Sequence, residues 1–379
     1  MKKCIVIPDS FKGTMTSMEV CNIMASRISL AFPDCKIISI PIADGGEGTV
    51  DCFLKAKAGE KINAVAQDAY GVEMAGFYGR FDDTAVIEMA AVAGMISNTR
   101  KDTMHASTYG VGQLIRHAVQ HGAGRIIIGL GGSCTSDAGC GMAAALGTKF
   151  YDEDGCGFIP VGGTLHKVRR IDTAPMRKLL KDVQISCICD TNKVMYGPDG
   201  AAYVYGPQKG ATKEEVEFLD LNLRQFAEVI KSQLGVDVSG IAGGGAAGAM
   251  GAGAVAFMGA ELKPGIDYIM DIVGFDDCLK DCDCVFTGEG SFDMQSLSGK
   301  AVCGIAERAA KFHVPAVVVA GRNKIGAEDV RPYGIAAVYE TAHSDDFNEI
   351  CRTCREDLSS TMDKVLVDIN TITSLSNYN

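Results

Sequence analysis

The sequence lacks two features that membrane and nucleic-acid-binding proteins need, a long apolar run and an excess of positive charge. No stretch of the chain reaches the roughly 18 uninterrupted apolar residues of a membrane span. The formal net charge is -11 at pH 7, whereas phosphate backbones and anionic membrane surfaces attract clustered lysine and arginine. We therefore expect no nucleic acid and no membrane among the partners of this protein.

The N-terminus shows no secretion signal, and the cysteine content agrees with that. Only five apolar residues precede Pro8 and Asp9, which is too few for the apolar core of a signal peptide. The 15 cysteines are odd in number, so they indicate free thiols rather than a disulfide framework. Cys351 and Cys354 form a CxxC pair, but they fall in a helical pattern with no second pair to complete a zinc site. We expect a cytoplasmic protein with structural thiols.

Several catalytic motifs are also missing. No serine lies in a GxSxG turn, which leaves an α/β-hydrolase without its usual nucleophile. His117 and His121 have i, i+4 spacing, but no HExxH pattern accompanies them. The stretch TGEGSFDMQSLSGKA is not a Walker A loop, because no glycine lies five residues before Gly299 and Ala301 replaces the hydroxyl that would bind magnesium.

The length and the order of patterns predict two domains. At 379 residues the chain exceeds what one hydrophobic core usually organises. Strand, polar loop and helix alternate near both ends, an order that favours parallel, doubly wound sheets. We predict a discontinuous Rossmann-like α/β domain over residues 1–70 and 275–379, with an inserted second α/β domain over 71–274 and the active site in the cleft between them. The alternative is a simple split near residue 150.

Polar residues follow the predicted strands, at the positions where parallel α/β sheets bind their ligands. Four such strand ends carry the following residues: Asp9, Ser10 and Lys12; Asp44, Gly45, Gly46 and Glu47; Asp190, Asn192 and Lys209; and Glu289, Ser291, Asp293, Gln295 and Lys300. Acids, amides and lysines together suit metal-assisted phosphoryl transfer, in which positioning and charge neutralisation do most of the catalysis.

The stretch GLGGSCTSDAGCG, residues 129–141, ends an apolar strand and begins a predicted helix. Its glycines allow the backbone to approach a ligand, and a helix start offers free N–H groups, so the loop is a candidate anion site. Gly131, Gly132 and Ser133 would offer N–H groups to phosphate. The alternative is a capped connection in which Ser136 or Asp137 only caps the helix.

A glycine- and alanine-rich segment covers residues 240–262. Gly243, Gly245 and Gly248 match GxGxxG, and Asp267 lies near the distance expected for a ribose-binding acid. No convincing buried strand precedes these glycines, however. The pattern therefore favours a helix whose small residues allow close backbone packing over a dinucleotide site.

Six stretches of the chain resemble, in order, the signature blocks of the bacterial glycerate kinase family with a Rossmann-like and a second α/β domain. They are DSFKGTMTS, PIADGGEGTVDCF, GLGGSCTSDAGCGMAAALG, CDTNKVMYGPDGAAYVYGPQKGA, GGGAAGAMGAGAVAFMGAELKPGIDYI and DCVFTGEGSFDMQSLSGKAVCGIA. The resemblance covers residue 9 to about residue 306. It departs at Cys134-Thr135-Ser136, where relatives usually carry Ala-Thr-Asn before the aspartate; any direct ligand contact from position 136 would be altered.

This resemblance implies ATP-dependent phosphorylation of D-glycerate to a phosphoglycerate, with Mg²⁺ accompanying ATP. The product in the family is often 2-phosphoglycerate, and 3-phosphoglycerate is the alternative. For this reaction we predict catalytic roles for Asp9, Lys12 and Asp190, and metal binding by Glu289 and Asp293. Predicted substrate-binding residues are Ser10, Asp44, Gly45, Gly46, Asn192 and Lys209. Predicted ATP-binding residues are Gly131, Gly132, Ser133, Thr135, Asp137, Gly288, Gly290 and Ser291.

Two other functions stay open at this point. An NAD-dependent hydroxy-acid oxidoreductase would use the glycines at 243–248, and a non-catalytic organic-acid sensor would bind glycerate without turnover. Either a monomer or a homodimer is compatible with the sequence.

Overall fold

The structure is a computed structural model that describes residues 1–42, 45–95, 100–294, 296–297 and 301–375. Strands and helices are numbered in chain order. The strands are β1 (Lys3–Val6), β2 (Lys36–Ser39), β3 (Glu60–Gln67), β4 (Glu73–Phe81), β5 (Thr84–Glu88), β6 (Arg125–Gly129), β7 (Lys149–Tyr151), β8 (Gly157–Phe158), β9 (Arg170–Asp172), β10 (Gln184–Ile188), β11 (Glu261–Lys263), β12 (Cys284–Thr287), β13 (Ser291–Phe292), β14 (Ala316–Ala320), β15 (Arg322–Asn323) and β16 (Ile335–Glu340).

The helices alternate with these strands. They are α1 (Ser17–Ala31), α2 (Thr49–Ala56), α3 (Ala90–Ala93), α4 (Tyr109–Gln120), α5 (Cys140–Leu146), α6 (Ala174–Leu179), α7 (Ala201–Tyr205), α8 (Lys213–Leu234), α9 (Ala246–Met258), α10 (Gly265–Val273), α11 (Phe275–Leu279), α12 (Ala301–Ala310), α13 (Ala327–Val330) and α14 (Phe347–Leu375). Short 3₁₀ helices cover Gly162–Lys167, Pro207–Lys209 and Arg331–Tyr333. No helix in the described ranges is both long and apolar enough to cross a membrane.

The first of two compact units comprises Met1–Asp44 and Gly265–Asn379. Its sheet has the strand order β16-β14-β12-β1-β2, and every neighbouring pair is parallel. The central strands β14, β12 and β1 are apolar and almost wholly buried, because both faces of the sheet are covered there. Helices α1 and α14 pack on one face with buried side chains such as Met24 and Leu358. The spacing of Thr16 and Glu19 predicts a capping box at the start of α1, and the structure has one: Thr16 accepts the N–H of Glu19, and Glu19 accepts the N–H of Thr16.

The second unit comprises Gly45–Pro264. Its sheet has the order β11-β10-β6-β5-β4-β3, in which β11, β10, β6 and β5 are parallel and β4 and β3 are antiparallel. A buried aromatic cluster of Phe150, Phe226 and Phe257 lies in its core, with ring centroids 5.8–6.5 Å apart. Both units place their parallel strands so that the loops after them share one edge of each sheet. The predicted α/β class with parallel sheets is confirmed.

The unit boundaries differ from the predicted boundaries at 70/71 and 274/275. Residues 60–67 form β3, which pairs along its whole length with β4 of the second unit. Residues 265–273 form α10 of the first unit, where Asp271 contacts Arg308 of α12 at 2.6 Å. Pairing between segments distant in sequence therefore sets both boundaries, and the local pattern of strands and helices does not show it.

The cysteines are free thiols, and Cys351 and Cys354 lie on α14, as the helical pattern around them predicted.

Candidate active site

The first unit brings together two of the predicted strand-end loops, those after β1 and β12. These strands are neighbours in the sheet, and the Asp9 N–H donates to Gly288 O at 2.8 Å. The carboxylate of Asp9 accepts the N–H of Ser10 at 2.6 Å, which fixes its orientation. Lys12 follows on the exposed side of the loop. Because Gly290 lies against the Lys12 backbone, a Cβ at position 290 would stand 3.2 Å from Lys12 N.

The loop after β12 lies close to the backbone of β14, the neighbour of β12 in the sheet. A side chain at Gly288 would collide with Val319 O, and the Glu289 carbonyl accepts the N–H of Gly321 at 3.0 Å. Within the described residues, Ser291 Oγ is buried and has no hydrogen-bond partner. The Asp293 backbone is fixed by Ser296, whose Oγ accepts the Asp293 N–H at 3.2 Å. The loop thus carries two carboxylate residues, Glu289 and Asp293, and the buried hydroxyl of Ser291, unpartnered among the described residues, at one edge of the sheet.

The second unit brings two glycine turns into direct contact. The Gly131 N–H donates to Gly45 O at 2.9 Å. A Cβ at Gly131 would lie 2.6 Å from Gly46 Cα and N, and a Cβ at Gly45 would lie 2.7 Å from Ile188 O. Gly45 itself has φ +85°, in the left-handed region. The sequence assigned these turns to different ligands, and the structure places them against each other.

The polar side chains after Gly132 point mainly into the protein rather than toward solvent. Lys209 is only 4% exposed, and its Nζ donates to Ser133 Oγ at 2.9 Å and to Thr135 O at 2.7 Å. Burial lowers the pKa of Lys209 to about 8, while Cys134 and Asp137 act in the opposite direction. In the described residues Thr135 Oγ1 is buried without a hydrogen-bond partner. Lys209 therefore holds the turn that the sequence predicted as a phosphate site.

Asp137, a predicted ATP-binding residue, is directed into the protein interior. Its side chain is fully buried, and its carboxylate accepts the N–H and Oγ1–H of Thr108, both at 2.8 Å. It also accepts the N–H groups of Gly139 and Gly141 at 3.1 Å, at the start of α5. Burial raises the pKa of Asp137, although these hydrogen bonds oppose the shift. Asp137 therefore caps the start of α5, one of the two roles that the sequence left open for it, and its carboxylate faces the protein interior.

Asp190 and Asn192 follow β10, the neighbour of β6. Leu130 N donates to Ile188 O at 3.1 Å, so the loops after these two strands start side by side. Both residues are exposed. Asp44, Gln295 and Lys300 lie outside the described residues.

The glycine- and alanine-rich segment, residues 240–262, packs against the turn over residues 133–138. The element directly before it in the described part of the chain is the helix α8 and not a strand, so the context of a dinucleotide fingerprint is missing. Ala247, Gly248 and Ala249 have left-handed backbone angles at the start of α9, and side chains at Gly248 and Gly253 would collide with the carbonyls of Thr135 and Ala138. The close-packing interpretation fits these contacts.

A magnesium site was predicted at Glu289 and Asp293. Within the described ranges, no group of three or more His, Cys, Asp or Glu side chains is placed to hold a metal ion. Mg²⁺ in kinases is commonly bound by one or two carboxylates together with substrate phosphates, so a preformed cage is not required. The two carboxylates and the buried hydroxyl of Ser291 are oxygen donors of the kind that Mg²⁺ prefers.

Sequence reasoning missed Glu88, the last residue of β5. It is 5% exposed, and its Oε2 accepts the N–H of Val50 at 3.0 Å. Burial raises its pKa to about 7. A charged residue at the end of the apolar run TAVIE was the available signal.

The contact between the two glycine turns gives a first prediction. Gly131→Ala is expected to lower the free energy of unfolding by about 1–3 kcal/mol, because the new methyl group forces the two turns apart. Gly240→Ala is the matched control, since no atom lies within 4 Å of a Cβ there, and it should change stability by less than about 0.5 kcal/mol. Urea unfolding of both variants measures the difference, and equal stabilities would contradict the tight contact.

Comparison with known proteins agrees with the geometry. The model of the glycerate kinase family matches residues 4–370. A glycerate kinase from Bacillus cereus is 38% identical over 90% of this chain and 91% of its own length. A glycerate 2-kinase from Escherichia coli K12 is 38% identical over 93% of this chain and 96% of its own. The crystal structure of a protein described as glycerate kinase 2, from Salmonella typhimurium LT2, matches with a TM-score of 0.85 and 35% identity over 98% of both chains. With strand-end loops that carry acids, glycines and lysine in family order, the chain belongs to the glycerate kinase family and is a phosphotransferase with an alcohol group as acceptor.

Proposed function

We propose that this protein transfers the γ-phosphoryl group of ATP to D-glycerate, with Mg²⁺, and forms 2-phosphoglycerate. The observation that carries the proposal is the similarity, over 93% of the chain, to a relative named glycerate 2-kinase. In the reaction a bond forms between a glycerate hydroxyl oxygen and the γ-phosphorus, and the bond from that phosphorus to the β,γ-bridging oxygen breaks. ADP leaves, and the hydroxyl proton needs an acceptor.

The loops of the first unit supply one set of groups for this chemistry. Asp9 is the proposed proton acceptor, because the Ser10 N–H holds its carboxylate in one orientation. Lys12 carries a positive charge on the same loop, suited to the carboxylate or phosphate of a substrate. The backbone of the two adjoining loops would contact substrate at Ser10 and nucleotide at Gly288 and Gly290. Glu289 and Asp293 would hold Mg²⁺, which neutralises charge on the phosphates when it is bound.

The loops of the second unit supply a second set. Gly132 would offer its backbone N–H group to an anion. The Gly131 N–H, which the sequence also assigned to phosphate, donates to Gly45 O, so Gly131 instead holds the Gly45 and Gly46 turn of the substrate site in place. Lys209 would add positive charge from beneath the turn, through Ser133 and Thr135. Asp190 and Asn192 stand at the adjoining strand end, where Asp190 is the alternative proton acceptor. Because Asp137 is occupied, it has no part in ligand binding here.

Two coupled assays test the reaction. Purified protein with ATP, Mg²⁺ and D-glycerate should release ADP, and the product should be consumed by enolase alone. A signal that needs phosphoglycerate mutase in addition to enolase would assign 3-phosphoglycerate instead. Glycerate-dependent NADH formation without ADP would overturn the proposal in favour of an oxidoreductase, and glycerate binding without turnover would favour a sensor.

A further inference from the structure

Glu88 lies at the junction of three elements of the second unit. It ends β5, where it stands opposite Gly129 of β6 in the parallel register. The backbone of the next residue continues this contact, since the Met89 N–H donates to Gly129 O at 3.1 Å. Its side chain, 5% exposed, turns toward α2 rather than toward solvent. Glu88 therefore connects the strand that leads into the Gly131 turn with the helix that follows the Gly45 turn.

The segment between Gly45 and Val50 is attached at both of its ends. At its start, Gly45 O accepts the N–H of Gly131 at 2.9 Å. At its end, the Val50 N–H donates to Glu88 Oε2 at 3.0 Å. Between them, buried Thr49 closes the turn, because its Oγ1 donates to Gly46 O at 2.7 Å. Without Glu88, one of the two attachments would be lost.

The charges around Glu88 make its ionisation sensitive to pH near neutrality. Burial raises the pKa of Glu88 to about 7. The nearby carboxylates of Asp51 on α2 and Glu47 on the preceding turn also raise this pKa. The Val50 N–H and the ammonium group of Lys61 on β3 lower it. The ionised form is the stronger hydrogen-bond acceptor and also interacts favourably with the start of α2.

We propose that Glu88 is a positioning residue, which holds the Gly45–Gly48 turn against the Gly129–Gly132 turn by anchoring the start of α2. Both turns carry ligand contacts in the proposed reaction, so the inference rests on the proposed function for its kinetic consequence. The anchoring of α2 by Glu88 does not depend on the proposed function. A displacement of one turn relative to the other misaligns bound groups, and misplacement of about 1 Å can cost roughly 10²-fold in rate.

Hydrogen exchange tests the anchoring without any need for activity. Glu88→Ala removes the acceptor, whereas Glu88→Gln keeps a carbonyl oxygen that can still accept the Val50 N–H. We expect amide exchange of residues 45–56 to be about 10-fold faster in Glu88→Ala and near that of the wild type in Glu88→Gln. Ile230→Ala, a truncation of a fully buried side chain on α8, controls for general loss of stability and should leave this segment unchanged.

Kinetics test the consequence for turnover. Glu88→Ala should lower kcat by about 10- to 100-fold, and Glu88→Gln should recover most of it at pH 6. As the pH rises to 8, wild-type kcat/KM should gain on that of Glu88→Gln by several-fold, because glutamine does not titrate. Titration of ATP affects both proteins equally and cancels in this ratio.

The outcomes separate the two ideas. Wild-type protein without glycerate-dependent ADP release would defeat the proposed function, while the exchange result would still decide the anchoring. Unchanged exchange in Glu88→Ala would overturn the positioning role. A wild-type to Glu88→Gln ratio that is constant from pH 6 to 8 would overturn it as well, and this second measurement holds even where Glu88→Ala does not fold.

Discussion

Replacing Lys209 by methionine is expected to lower kcat/KM for glycerate phosphorylation by about 10²-fold or more. Methionine has a similar length but neither charge nor donor, so Ser133 Oγ and Thr135 O lose the ammonium group that they contact. Buried polar atoms left without partners are costly, and the turn is expected to rearrange. Steady-state kinetics with both substrates measure the loss.

Lys231→Met is the matched control, because Lys231 is an exposed lysine that pairs with Asp237 on the surface at 2.7 Å. It should leave kcat/KM within about two-fold, as exposed ion pairs contribute little. Equal activity of the two variants would remove Lys209 from the site.

The pH profile gives an independent check on Lys209. Since burial lowers its pKa to about 8, the ammonium group is charged below that pH and loses its proton above it. Wild-type kcat/KM should therefore fall as the pH rises through about 8. The residual activity of Lys209→Met should show no such fall, because methionine does not titrate.

Asp9→Asn is expected to lower kcat by about 10²-fold or more, since asparagine cannot accept the hydroxyl proton. The substitution keeps the size of the side chain and an oxygen that can accept the Ser10 N–H. Asp190→Asn should instead act mainly on KM for glycerate. Asp34→Asn, on an exposed turn after α1, should be near wild type in both.

A larger loss of kcat in Asp190→Asn than in Asp9→Asn would transfer the role of proton acceptor to Asp190. Circular dichroism and thermal unfolding should accompany the kinetics, so that a folding defect is not mistaken for a catalytic one.

Local features of the fold were predictable because each depends on a short stretch of chain. The Thr16 and Glu19 pair has the spacing of a capping box and forms one. The pattern after the loop DGGEGT predicts a helix from about Thr49 to Lys57, and α2 covers Thr49–Ala56. These outcomes follow from periodicity and from the residues that begin and end helices.

Features that depend on contacts between residues far apart in the sequence were not predictable. The burial of Asp137 follows from Thr108, 29 residues earlier, which donates two hydrogen bonds to it. The contact of Gly131 with Gly46, and the anchoring of α2 by Glu88, likewise join segments far apart in sequence. A motif shows which residue types are present, but only the packing shows whether a carboxylate faces a ligand or the protein interior.

The close packing of α9 against the 133–138 turn also affects how this protein responds to heat. Where Gly248 and Gly253 meet carbonyl oxygens, the folded state needs residues without side chains. Glycine loses more backbone freedom on folding than any other residue, so the segment carries a large entropic cost that grows with temperature. Substitution by alanine, the usual remedy, is blocked at these two positions. Substitutions that stabilise this protein against heat will therefore have to lie in other segments, and Gly248 and Gly253 will have to stay glycine.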